Sequence, residues 1–144
     1  MIKKTIFILG SNSFSGSNFI KFISKKNFKI VAISRSKEAK KEFLAYNNFK
    51  KKIKFFKIDI NENLKKIELL IKKYKPAYFI NFSSQGMVVQ SWLFPSHWYQ
   101  TNVLSQVKLI EILKKYKSLE KYIHFTTPEV YGSTSRKIKE NFNF

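Results

Sequence analysis

The first residues able to do specific chemistry form the run Gly10-Ser-Asn-Ser-Phe-Ser-Gly16. A glycine at position 10 permits a tight turn after an apolar run, and Gly16 lets a following helix pack close to a sheet. The first amide N–H groups of a helix have no partner inside it, and the peptide dipoles place partial positive charge there. Together these make a pyrophosphate cradle. The expected cofactor contacts in it are Gly10, Ser13, Phe14, Ser15 and Gly16. The spacing is G-x-x-x-x-x-G, with Ser13 where a middle glycine would sit. Spacing alone is equally that of an ordinary loop, but this run follows a strand, opens a helix and lies at the first strand–helix junction.

The next such residues are Ser34-Arg35-Ser36, at the end of a second apolar run. An Asp or Glu here would bind an adenosine ribose 2′-hydroxyl and favour NAD. No acidic residue appears before Glu38. Arg35 can pair with a 2′-phosphate, so the cofactor expectation is NADP over NAD, with Arg35 and Ser36 as contacts. Metal chemistry has little material. The chain has no cysteine and two histidines, His97 and His124, so no metal site is expected.

These residues need a scaffold, and the pattern supplies one. Thr5-Ile-Phe-Ile-Leu9 reads as a buried strand. Residues 16–25 carry Phe19, Ile20 and Ile23 at helical spacing. Phe28-Lys-Ile-Val-Ala-Ile33 and Ile53-Lys-Phe-Phe-Lys-Ile58 read as strands two and three, with a polar, helical stretch over residues 37–46 between them. Leu64, Ile67, Ile71 and Tyr74 mark a helix that Pro76 stops. Ala77-Tyr-Phe-Ile-Asn-Phe82 is the fourth strand. A long helix with Val103, Val107, Ile110 and Leu113 on one side leads to the fifth, Tyr122-Ile-His-Phe-Thr126. Five strands alternating with helices predict an α/β fold with a doubly wound parallel sheet. Residues 1–132 are expected to form a dinucleotide-binding domain, and residues 133–144 a loop.

The chain has 144 residues and a formal net charge of +19. Its length fits about one domain. Such a charge invites a nucleic-acid partner. However, all but two of its 28 Lys and Arg residues are lysine, the exceptions being Arg35 and Arg136. Base readout and bidentate phosphate recognition favour arginine. The lysines are spread in small groups on expected solvent faces. Abundant Lys, Asn, Ile and Phe point to compositional drift, so no specific nucleic-acid partner is expected. No apolar run reaches the ~18 residues of a membrane span. The expectation is a cytoplasmic protein with no membrane contact.

Four segments resemble, in order, the N-terminal part of the extended short-chain dehydrogenases/reductases, the NAD-dependent epimerase/dehydratase family. The run from Gly10 to Gly16 resembles the family's G-x-x-G-x-x-G loop, with Ser13 replacing the middle glycine. Asp59-Ile60 resembles its Asp-hydrophobic pair at the adenine. Asn81-Phe-Ser-Ser-Gln85 resembles the end of its fourth strand, and Ser91, Pro95 and Thr101-Asn-Val103 fit the continuation. Thr126-Thr-Pro-Glu-Val-Tyr-Gly132 resembles the Ser-Thr-x-Glu-Val-Tyr-Gly segment of sugar-nucleotide 4,6-dehydratases. The resemblance implies a Rossmann-like fold and adds Asp59, Ile60, Phe82, Ser83, Ser84 and Thr126 to the cofactor contacts. It also implies Gln85 as a substrate contact and a nucleotide-sugar substrate.

In those dehydratases a hexose is oxidised at C4, water is eliminated across C5–C6, and the hydride returns at C6. The resemblance places the catalytic threonine at Thr127 and the catalytic glutamate at Glu129. Elimination beside a ketone needs a positioned base, which Glu129 supplies. Thr127 would hydrogen-bond the oxygen at C4. Pro128 stands where several relatives carry a proton-donating Asp, and it has no proton to give. The glutamate segment also occurs in sugar-nucleotide decarboxylases, so epimerase and decarboxylase outcomes remain beside dehydration.

The family's hydride step further needs a Tyr-x-x-x-Lys pair soon after the Val-Tyr-Gly segment, and the chain ends at Phe144 before it. Tyr46 and Lys50 have that spacing but lie between strands two and three. The expectation is therefore a truncated, N-terminal portion, inactive alone, or a non-catalytic dinucleotide-binding module. Its open sheet edge calls for a partner, either a second copy as a homodimer or the missing C-terminal half.

Overall fold

The structure, a computed structural model, describes residues 3–135 and 137–139. The strands are β1 (Thr5–Leu9), β2 (Lys29–Ser34), β3 (Ile53–Lys57), β4 (Tyr78–Asn81) and β5 (Lys121–His124). They form one sheet in the order β3-β2-β1-β4-β5, and every pairing is parallel. The chain moves outward from β1 to β3, then returns to the other side of β1 for β4. This reversal is the switch point at which doubly wound sheets open a crevice beyond the strand ends. Leu9 pairs with both Ile33 and Asn81, and Asn81 pairs with His124, so four strands end level.

Alternate residues of each strand face opposite sides. Phe7, Leu9, Val31, Ile33 and Phe79 pack with Ile67, Ile71, Leu109 and Leu113 on one side. Ile6, Ile8, Ile30, Ala32 and Ile80 pack with Ile20 and Ile23 on the other. Both faces are covered, which is why the strands read as continuous apolar runs. Helices α1 (Phe14–Ile23) and α2 (Leu64–Tyr74), with the later helix that carries Leu109 and Leu113, supply these covers. The α2 helix buries Ile67 and Ile71 and ends with Lys75 in a left-handed conformation (φ 44°) before Pro76.

Two elements differ from expectation. Residues 37–46 form no regular helix beyond a 3-10 turn over Lys41–Phe43. The Asn12 side chain holds this segment instead. It donates to Ser36 Oγ (2.9 Å) and the Lys37 carbonyl (2.8 Å), and accepts from the Ala39 N–H (3.3 Å). The expected long helix is broken into α3 (Val88–Leu93), α4 (Pro95–Tyr99), a π turn over Gln100–Leu104, and α5 (Ser105–Leu113).

The buried face of α5 is Ser105, Gln106, Leu109 and Leu113. Val103, Val107 and Ile110 instead point outward, at 52%, 50% and 41% exposure. Apolar spacing misread this face because its two buried polar residues satisfy their hydrogen bonds internally. Within 133–144 the described residues form no helix or strand; residues 136 and 140–144 lie outside the described residues.

Candidate functional site

A groove of about 280 Å³ lies beyond the C-terminal ends of β1, β2 and β4. Its floor is the β1–α1 turn. Gly10 has φ +79°, and the N–H groups of Gly10 and Ser11 both donate to the Ile33 carbonyl (2.9 and 3.1 Å), stitching the turn to β2. A Cβ on Gly10 would lie 2.7 Å from the Phe82 carbonyl carbon, and one on Gly16 would lie 2.4 Å from the Gly10 carbonyl oxygen. Both glycines are therefore required by close backbone approach.

Ser13 is the N-cap of α1: its Oγ accepts from the Gly16 N–H (3.0 Å), and its carbonyl accepts from the Ser17 N–H (2.8 Å). Ser13 thus serves the helix through its side chain, a role a middle glycine lacks. Phe14 and Ser15 form the first turn and are exposed, so their N–H groups are the helix donors left for a ligand.

Among the expected contacts, Gly10, Ser13, Arg35, Ser36, Asp59 and Ile60 line the groove, as do Phe82, Ser83 and Ser84. Asp59 Oδ1 accepts from the Asn61 N–H (2.8 Å), a local turn that leaves its second oxygen for other contacts. Gln85 lies next door, in a polar pocket of about 350 Å³ with Arg35, His97 and Gln100. Arg35, Asn61 and Thr101 border both spaces.

Thr126, Thr127 and Glu129 follow β5 in an exposed segment outside the groove lining. Thr127 immediately precedes a 3-10 turn over Pro128–Tyr131, with Glu129 in its first turn. Stacking of Phe82 on Phe125 (ring centroids 4.2 Å) and the Phe125 N–H bond to the Asn81 carbonyl (2.9 Å) tie the start of this segment to β4.

Several functional residues escaped sequence reasoning. Asn102 grips the Gln85 backbone at both ends: it accepts from the N–H (2.8 Å) and donates to the carbonyl (3.0 Å). Asn81, fully buried, donates to Gln106 Oε1 (2.6 Å) and Tyr122 Oη (3.1 Å). Asn61 donates to Thr101 Oγ1 (3.0 Å) and accepts from Ser105 Oγ (2.8 Å). These carboxamides, with Asn12, hold the groove's walls. The partners named here are 17 to 44 residues away, so no local periodicity marks them.

Burial pushes the Tyr122 hydroxyl above its ordinary range, against the hydrogen bond from Asn81, and pushes the His124 imidazole below its own. Tyr46, with Lys50 four residues on, is fully buried and donates to Glu38 (3.2 Å), which Lys50 also contacts (2.6 Å). Burial, with the Glu38 charge and hydrogen bond, pushes the Tyr46 pKa up. A tyrosine base needs the opposite shift, so this pair is structural.

Among the described residues, no group of three or more His, Asp or Glu could hold a metal ion. No helix there is long and apolar enough to cross a membrane.

A sequence model of one family, described as GDP-mannose 4,6 dehydratase, matches residues 7–144. The chain is 27% identical over 140 residues to a dTDP-glucose 4,6-dehydratase from Haemophilus influenzae, covering 90% of this chain and 41% of that protein. Its fold is similar to a dTDP-glucose 4,6-dehydratase from Bacillus anthracis in complex with NAD (TM-score 0.74, 26% identity), covering 94% of this chain and 41% of that one. It is also similar to a UDP-N-acetylglucosamine 4-epimerase from Methanobrevibacter ruminantium (TM-score 0.80, 24% identity), covering 100% and 44%. The chain thus spans less than half the length of these relatives.

Proposed function

Since the chain belongs to the GDP-mannose 4,6 dehydratase family, we propose that its groove binds a nicotinamide dinucleotide, as the N-terminal portion of a sugar-nucleotide 4,6-dehydratase. The observation that carries this reading is the fit of the β1–α1 turn. Gly10 packs on the backbone of Phe82 and Ser83, and the capped start of α1 opens on the groove. Gly10 and Ser13 line the groove with Arg35 and Ser36, and the N–H groups of Phe14 and Ser15 that follow are the ones to take a pyrophosphate. The Bacillus anthracis relative, solved with NAD, supports the cofactor class.

Arg35 sets the choice within that class. No acidic residue follows β2 before Glu38, and Glu38 is engaged by Tyr46 and Lys50. A guanidinium bordering the groove suits a 2′-phosphate, so the reading is NADP over NAD.

When bound, the dinucleotide supplies reversible uptake and return of hydride. The remaining chemistry falls to the segment after β5. With the hexose present as its 4-ketone, Glu129 removes the C5 proton and Thr127 hydrogen-bonds the C4 oxygen. Pro128 brings no proton to the leaving hydroxyl, so that proton comes from water or another group. Gln85 faces the substrate side.

The test is calorimetric titration of the 144-residue chain with NADP+ and NAD+, for wild type and Arg35→Ala. The expected result is binding of both, tighter for NADP+, with the preference lost in the variant. Equal affinities in the wild type would remove the NADP reading; no binding of either would remove the dinucleotide reading. Added sugar nucleotide is expected to give no product.

A further inference from the structure

The hydrogen bonds behind the groove have a polarity that two backbone groups fix. The Ser83 N–H can only donate, and it points at Asn81 Oδ1 at 2.8 Å. The Asn81 carboxamide must therefore turn its oxygen to Ser83 and its nitrogen away. At the far end the Thr101 carbonyl can only accept, and Gln106 Nε2 donates to it at 3.0 Å. Gln106 Oε1 thus faces Asn81 Nδ2, at 2.6 Å.

Both Asn81 amide hydrogens are then spent, one on Gln106 and one on Tyr122 Oη at 3.1 Å. Tyr122 Oη also lies 3.0 Å from His124 Nδ1. Asn81 is 0% exposed and Gln106 5%, so water does not replace the bond between the two carboxamides. Reversing either carboxamide would bury like groups against each other.

The consequence falls on Ser83. Its Oγ lies 2.6 Å from Asn81 Oδ1. That oxygen only accepts, so the Ser83 hydroxyl must donate its one hydrogen there. Only lone pairs remain on Ser83 Oγ. Ser83 is half-buried and lines the groove.

We infer that Ser83 is held as a hydrogen-bond acceptor in the groove and takes a hydroxyl or amino hydrogen of the dinucleotide. A phosphate oxygen offers only lone pairs, so it is excluded from this position. The inference rests on the dinucleotide reading above and assigns Ser83 a specificity role within it.

The experiment titrates the 144-residue chain with NAD+, NADP+ and NAD+ analogues that each lack one donor: a ribose hydroxyl, the adenine amino group or the nicotinamide amide. Ser83→Ala is expected to weaken NAD+ binding roughly two- to tenfold, the scale of one neutral hydrogen bond. One of these analogues should bind wild type more weakly by a similar factor, and that penalty should vanish in Ser83→Ala. Ser83→Thr, which keeps the hydroxyl, should restore both. Unchanged NAD+ affinity in Ser83→Ala, or analogue penalties that all persist in it, would overturn the inference while leaving the dinucleotide reading intact. A wild-type chain that binds neither NAD+ nor NADP+ would overturn that reading, and the assignment with it.

Discussion

Gly10 sits so close to Phe82 that a single methyl group at position 10 would come within 2.7 Å of the Phe82 carbonyl carbon. The first and fourth strand ends thereby fix each other's loops, and the groove between them is as narrow as two backbones allow. Gly10→Ala must both hold a strained positive φ and push the 82–84 loop outward. The backbone conformation alone costs ~1–3 kcal/mol. Urea unfolding should show at least that loss, accompanied by weaker dinucleotide binding.

Asn12 makes three hydrogen bonds to residues 36–39. Asn12→Ala leaves the Ala39 N–H without its side-chain acceptor, so amide exchange at Ala39 should accelerate relative to wild type. The loop carrying Ser36 loosens with it, and NADP+ affinity should fall more than NAD+ affinity.

The helix face that sequence spacing misassigned gives a direct contrast. Leu109 is fully buried, and Leu109→Ala should cost ~2–5 kcal/mol. Val107 is half exposed, and Val107→Ala should change unfolding free energy by about 0.5 kcal/mol or less. Paired denaturant curves distinguish the two faces; equal losses would contradict the placement of α5.

Tyr46 holds its proton more tightly folded than unfolded, because of burial and the Glu38 carboxylate. A group with a raised folded pKa contributes stability that is intact below its unfolded value, about 10 for tyrosine, and lost as pH rises beyond it. Wild-type stability should therefore fall with pH above about 10. Burial raises Tyr116 and Tyr122 as well, so Tyr46→Phe should reduce this slope without abolishing it. Urea unfolding between pH 7 and 11 measures it.

The strands β1, β2 and β4 were legible in the sequence because both of their faces are covered, so runs such as residues 5–9 are continuously apolar; β3 and β5, at the sheet's edges, are less buried and were legible from their β-branched and aromatic residues. The α2 helix was legible from Leu64, Ile67, Ile71 and Tyr74, and its end from Pro76. The turn around Gly10 and Gly16 was legible because only glycine tolerates such close backbone approach. Residues 37–46 were not, because Asn12, distant in sequence, dictates their path. Asn102 and Gln106 were not legible as groove supports either. They act through carboxamide bonds across the fold, and polar residues on a buried face carry no apolar period. That same substitution of polar for apolar packing turned Val103, Val107 and Ile110 outward.

The central claim is that a dinucleotide lies across the β1–α1 turn. Amide chemical shifts of the 17.1 kDa chain, followed during titration with NADP+, test it most directly. Shifts concentrated at Gly10, Ser13, Phe14, Ser15, Arg35, Ile60 and Ser83, saturating with one ligand per chain, are the predicted result. Saturable shifts located elsewhere, or none at millimolar NADP+ and NAD+, would contradict it.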